Sequence, residues 1–187
     1  HGVNNESFTV SGSADLTSKH VQANQALANV NGLTLTPVGS ALLSNYSPLT
    51  VSNTSISVTP LPITLTAPTI NKVYDGGYTY TVTSANLAAL SAQLVGGDTV
   101  TAASVAFAGN NPNVGSNKTV NLLSATISDG NSGNNYTITY ADNTASTINK
   151  KTVSLSASKV YDGTTSLTGY VTIATGVGSE TLTYTGA

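Results

Sequence analysis

The chain contains no cysteine, no methionine, no tryptophan and no arginine in 187 residues. Without cysteine it has no disulfide, no thiolate nucleophile and no cysteine-held zinc, and the redox state of its compartment is left open. Charged residues make up only 7% of the chain, against about 25% in an ordinary soluble domain. The basic residues are six lysines, the net charge is -2, and no basic cluster occurs. Nucleic acid binding, which requires cations against phosphates, is therefore excluded. No apolar run approaches the roughly 18 residues of a membrane-spanning helix, so no membrane insertion is expected in this segment. No secretory leader is recognisable; if the protein is secreted, its export signal has been removed or lies outside these residues.

Catalytic constellations are equally scarce. Both histidines fall within the first 20 residues, which gives a Ser-His-Asp triad no buried, oriented base. The eight acidic residues sit mostly at turn signals and offer no evident pair for glycoside hydrolysis. Hydrophobic residues still make up 39%, enough for a core, so the disorder signature of low hydrophobicity with high net charge does not apply. The surface must be built from Ser, Thr and Asn, a composition suited to sheets and turns.

The dominant period is two. Ile63-Thr-Leu65-Thr, Val153-Ser-Leu155-Ser, Tyr78-Thr-Tyr80-Thr-Val82-Thr and Tyr136-Thr-Ile138-Thr-Tyr140 alternate apolar and polar residues, which predicts half-buried strands. Asn31-Gly32, Asp75-Gly76, Gly96-Gly97-Asp98, 109–112 and Asp129-Gly130 supply turns between them. Many short strands with frequent turns predict an antiparallel sandwich. Only the stretch around Leu87, Leu90 and Leu94 has helical spacing, and a short helix or loop is expected there.

The chain also resembles itself. Asn71-Lys72-Val73-Tyr74-Asp75-Gly76 returns as Ser158-Lys159-Val160-Tyr161-Asp162-Gly163, with the two tyrosines 87 residues apart. At an offset of 90, Asn45-Tyr46-Ser47 maps onto Asn135-Tyr136-Thr137, Val10 onto Val100, Val30 onto Val120, Leu33 onto Leu123 and Val58 onto Ile148. The strand-like stretch from Glu6 to Gly12 resembles that from Glu180 to Gly186. Such periods mark repeat architectures. The expected organisation is the later part of one repeat over 1–62, a complete repeat over 63–150 and the opening strands of a third over 151–187. The expected fold class is all-β, with tandem immunoglobulin-like antiparallel β-sandwich repeats. Pro37 and Pro60 stand where the complete repeat has Ile127 and Lys150, so edge strands of the first repeat are expected to differ.

Four strings carry a family resemblance: Lys-Val-Tyr-Asp-Gly-Thr-Thr (159–165), Asn-Val-Gly-X-X-Lys-Thr-Val (113–120), Gly-Asn-Asn-Tyr-Thr-Ile-Thr (133–139) and Thr-Ile-Asn-Lys (147–150). Together they resemble the YDG repeat, a relative of the MBG repeats, found in tandem in large bacterial exoproteins of the filamentous-haemagglutinin and adhesin type. The resemblance implies an extracellular, cell-surface β-sandwich array acting as spacer or fibre, with no catalytic residue.

Each candidate site has a structural reading beside the functional one. Tyr74, Asp75, Gly76 and their counterparts Tyr161, Asp162, Gly163 read as a corner, with a buried tyrosine, an aspartate bonded to backbone amides and a glycine at positive φ. A ligand contact is the alternative, disfavoured because the motif recurs. His1 with His20 is tested as a copper brace of the kind seen in lytic polysaccharide monooxygenases, and disfavoured for want of cysteine and of an aromatic substrate face. The loop 129–135 offers oxygens of the kind calcium takes but only one carboxylate, so a plain turn is preferred; no other cofactor is expected. The sequons at Asn5, Asn45, Asn53, Asn117 and Asn135 are candidate glycosylation sites. Tyr78 and Tyr80 are expected to pack in the core, with sugar stacking as the alternative. An intramolecular Lys–Asn isopeptide bond is a further alternative.

The leading functional expectation is a non-catalytic stalk or fibre module. A glycan- or host-protein-binding adhesin is the second, with the insertion at Ser84–Gln93 as its candidate feature. A filament subunit joined head to tail by strand complementation with identical subunits is the third; the chain begins and ends inside a repeat, for which a segment of a longer array is the preferred explanation and complementation between copies the alternative. The partners expected are neighbouring repeats, identical copies, or cell-surface glycans and proteins.

Overall fold

The computed structural model describes residues 3–52 and 54–184. The chain divides into two compact units. The first holds 1–62 together with 129–137, and the second holds 63–128 together with 138–187. The described residues are mainly β, arranged in several sheets.

In the first unit, β1 (Ser7–Gly12) pairs antiparallel with β3 (Leu33–Val38), and β2 (Gln22–Gln25) pairs antiparallel with β4 (Ile56–Val58). Pro37 lies in β3 opposite Phe8, and β3 has no second partner among the described residues, so the missing amide breaks no ladder. This unit buries little. Phe8 meets Tyr46 edge to face with ring centres 4.9 Å apart, and Ala41 and Gln25 are buried, but Val10 is 58% exposed. Where β1 ends, Gly12 has φ +98° and a side-chain carbon there would lie 1.9 Å from the carbonyl oxygen of Gly32. Only glycine permits that approach.

The second unit carries the main core. Its five-stranded sheet has the order β6 (Asn71–Val73), β11 (Asn143–Asn149), β9 (Gly115–Ser128), β8 (Thr99–Phe107) and β7 (Thr79–Tyr80). β5 (Leu61–Thr66) pairs with β10 (Tyr136–Ala141), and β12 (Ser154–Ala157) pairs antiparallel with β13 (Val171–Ala174). The expectation of a wholly antiparallel arrangement needs correction at two places: β6 runs parallel to β11, and β5 and β10 run in the same direction, with Leu61 N donating to Asn135 O and Ala67 N to Ala141 O, each 2.9 Å. The whole meander from β7 to β10 intervenes between β6 and β11, a crossover long enough to bring the chain back in the same direction.

Alternation fixes which side chains point inward. Leu65 on β5, Val105 and Phe107 on β8, Val120 on β9 and Ile148 on β11 are each at most 2% exposed. Ser146 is fully buried but satisfied: its hydroxyl accepts from Ile70 N at 2.9 Å and donates to Asn143 Oδ1 at 3.1 Å. The helical spacing seen in sequence becomes α1 (Ser84–Ser91), which buries Leu90. Thr83 starts it by a reciprocal cap, its hydroxyl accepting from Asn86 N while the Asn86 side chain accepts from Thr83 N.

Leu65→Ala should destabilise the second unit by about 2–5 kcal/mol in chemical denaturation, as for other fully buried leucines. Leu155→Ala, at the corresponding alternation but 69% exposed, should change it by no more than about 0.5 kcal/mol.

Candidate functional site

The two Tyr-Asp-Gly stretches form the same loop. β6 delivers Lys72, and its ammonium turns back over the residues that follow. Nζ lies 2.6 Å from Asp75 Oδ1 and donates to the carbonyl oxygens of Gly77 at 2.8 Å and Thr79 at 3.3 Å. Asp75 Oδ1 in turn accepts from Gly77 N at 2.9 Å, and Gly76 has φ +80°. In the later copy Lys159 Nζ lies 2.8 Å from Asp162 Oδ1 and donates to the carbonyls of Thr164 and Ser166, both at 2.8 Å. Asp162 accepts from Thr164 N at 2.9 Å, and Gly163 has φ +75°. The lysine beside each aspartate holds its carboxyl below the usual range, with the amide of Gly77 or Thr164 acting in the same direction.

Both lysine side chains are largely buried by their own loop. A buried ammonium satisfied by a carboxylate and two carbonyls is a structural fastener, with its donors consumed before any ligand arrives. Lysine three residues before aspartate in both copies is visible in the sequence, but its role as the centre of the loop emerges only here.

The tyrosines depart from expectation. Tyr74 is half-buried, and its hydroxyl donates to the carboxylate of Glu180. That hydrogen bond, followed by desolvation, raises its pKa. Tyr161 is 93% exposed. Its loop is complete without it, because every bond that closes the turn comes from Lys159, Asp162 and Thr164. Tyr78 is likewise exposed rather than in the core, with Tyr80 half-buried; β7 is an edge strand of two residues and offers one covered face.

The loop 129–135 belongs to the first unit and is closed around a buried carboxylate. Asp129 accepts from the amides of Asn131 and Gly133 at 2.8 Å each and of Asn135 at 3.0 Å. Burial works to raise its pKa, and the amides of Gly133, Asn131 and Asn135 together outweigh it, so the carboxyl is held below its ordinary value. These amides occupy the oxygens that a calcium ion would take. Asn135 is a hub: its Oδ1 accepts from Val21 N at 2.9 Å and from Asn131 Nδ2 at 2.9 Å. Its Nδ2 lies 2.9 Å from His20 Nδ1 and donates to the Asp129 carbonyl at 3.2 Å.

His20 is thus a half-buried partner of an amide. Its copper-brace partner His1 lies outside the described residues, as does the sequon residue Asn53. Asn135 is held by its neighbours through the nitrogen a glycan would need, whereas Asn5, Asn45 and Asn117 are exposed. Among the described residues no group of three or more His, Cys, Asp and Glu could hold a metal.

A cavity of about 270 Å³ in the second unit is lined by apolar Val114, Val153, Val177 and Leu182, with Tyr74 and Glu180 at its wall. Val177 is buried, and a side-chain carbon on Gly76 would lie 3.1 Å from its Cγ1. The stretch Val177 to Glu180 is therefore seated on the loop of Tyr74.

Residues 59–146 match the YDG domain family. No curated protein and no solved structure matches the chain.

Lys72→Met should destabilise the second unit by about 1–3 kcal/mol, because two carbonyls and a carboxylate lose their donor. Asp129 gives a pH signature. Its folded pKa is depressed, so its contribution is present above the unfolded value of about 3.9 and disappears as pH falls through the folded value. In thermal melts, Asp129→Asn should lower the midpoint at neutral pH and flatten its acid dependence in that window. Millimolar calcium should leave the wild-type midpoint unchanged.

Proposed function

We propose, from the YDG domain at residues 59–146, that this chain is a non-catalytic stalk or fibre module of a secreted bacterial surface protein. The observation that carries this reading is the Lys-Asp-Gly loop, built twice with the same bonds and with its ionic groups turned onto its own backbone. A feature that recurs in this form serves architecture, since a binding or catalytic centre keeps its charged groups available to a substrate. A surface of Ser, Thr and Asn with few charges suits a spacer, whose work is length and chemical inertness.

The strand pairings favour a repeated sandwich-like module as the building block. The antiparallel pair β1–β3 precedes β8–β9 by about one repeat length, and β2–β4 precedes the pairing of β9 with β11 by a similar interval. In the earlier copy the long β9 is replaced by two short strands, β2 and β3. Such a module would keep an immunoglobulin-like plan.

Binding of a host glycan or protein is a weaker reading. Its candidate insertion, α1, is capped and turns Leu90 into the core, as a structural helix does.

An antibody raised against the purified chain should label intact cells of the source bacterium, and brief protease treatment of those cells should remove the signal. Antigen confined to the cytosolic fraction would overturn the reading.

A further inference from the structure

The chain enters the YDG domain through β5 and β6 and leaves it through β10 and β11, and entry strands pair with exit strands in parallel. Leu61 N donates to Asn135 O and Ala67 N to Ala141 O, each at 2.9 Å. In the second pair Asn71, Lys72 and Val73 stand against Thr147, Ile148 and Asn149. There Thr147 N donates to Ile70 O at 2.8 Å and Tyr74 N to Asn149 O at 2.9 Å. Side chains reinforce the seam. Ser146 Oγ accepts from Ile70 N at 2.9 Å, and Asn143 Nδ2 donates to Thr69 Oγ1 at 3.0 Å. Ile70, Ser146 and Ile148 are all buried, which keeps water from competing for these bonds.

Direction decides how such a seam fails. In a parallel pair, the upstream end of the first strand and the downstream end of the second lie at opposite ends of the ladder. Tension carried by the chain therefore slides one strand along the other. The bonds are spaced evenly along a parallel ladder, and sliding loads all of them together. A pair pulled apart from one end loses its bonds singly. β7, α1, β8 and β9 lie between the entry and exit strands in sequence, so tension reaches them only after the seam has parted.

We propose that the parallel seam of β5–β10 and β6–β11 is a load-bearing clamp, by which this domain carries tension along the chain without unfolding. The clamp deepens the stalk reading and rests on it for its purpose. Lifetime under force is governed by the rate of unfolding and not by equilibrium stability. Substitutions in the seam therefore shorten the lifetime under load, whereas substitutions behind it act on equilibrium stability.

The test is constant-force optical tweezers on the whole chain, whose lack of cysteine leaves the choice of handle positions open. Pro60→Cys with Lys150→Cys, both at exposed positions, loads the seam in shear. Pro60→Cys with Asn134→Cys, also exposed, draws apart the adjoining upstream ends of β5 and β10 and peels the same bonds in turn. At one force the sheared molecule should outlive the peeled one at least about tenfold, as when two or more hydrogen bonds must break at once. In shear, Leu61→Pro removes one seam donor at the first residue of a strand, where proline is tolerated. It should shorten the lifetime about two- to tenfold. Thr83→Ala removes the cap of α1 and should lower the denaturation midpoint while leaving the lifetime in shear unchanged. Equal lifetimes in the two geometries, or a lifetime in shear that responds to Thr83→Ala as much as to Leu61→Pro, would overturn the clamp. Such a failure leaves the stalk reading standing, since that reading fails on cellular location.

Discussion

Backbone amides and carbonyls at the turns between short strands have no ladder partner, and each must be satisfied some other way when covered. This protein meets that demand with the few ions it possesses. Asp129 gathers three amides, and Asp75 and Asp162 each take one while bonded to a lysine. Lys72 and Lys159 serve the carbonyls on the other side of the same loops. In a chain with 7% charged residues, committing these five side chains to the closure of loops is what supports the proposed architectural reading.

Similar sequences meet different fates along the chain. Leu65 is fully buried and Leu155, in the same alternating context, is 69% exposed; Val100 is 4% and Val10 58% exposed. The strand pattern is present in every case, but burial depends on a second layer to lie against. β5 and β12 each have one paired neighbour, β10 and β13 respectively, so the cover over the face, and not the pairing, separates Leu65 from Leu155. The hydrophobic contribution therefore concentrates in the second unit, where five strands and a helix share one core.

Much of this was legible in the sequence. Period-two alternation marked the strands, Leu87, Leu90 and Leu94 marked the helix, and Asp-Gly pairs marked the loops, because each is a local preference written in neighbouring residues. Glycine at positive φ and aspartate on a nearby amide also follow from local chemistry. Tertiary structure decided the rest. The parallel pairing of β6 with β11, the exposure of Tyr161 against the half-burial of Tyr74, the central place of Lys72 and Lys159, and the meeting of Asn135 with His20 all depend on residues distant in sequence or on what covers a given face. A local pattern states which side of a strand is apolar; only the assembled chain supplies, or withholds, the surface that buries it.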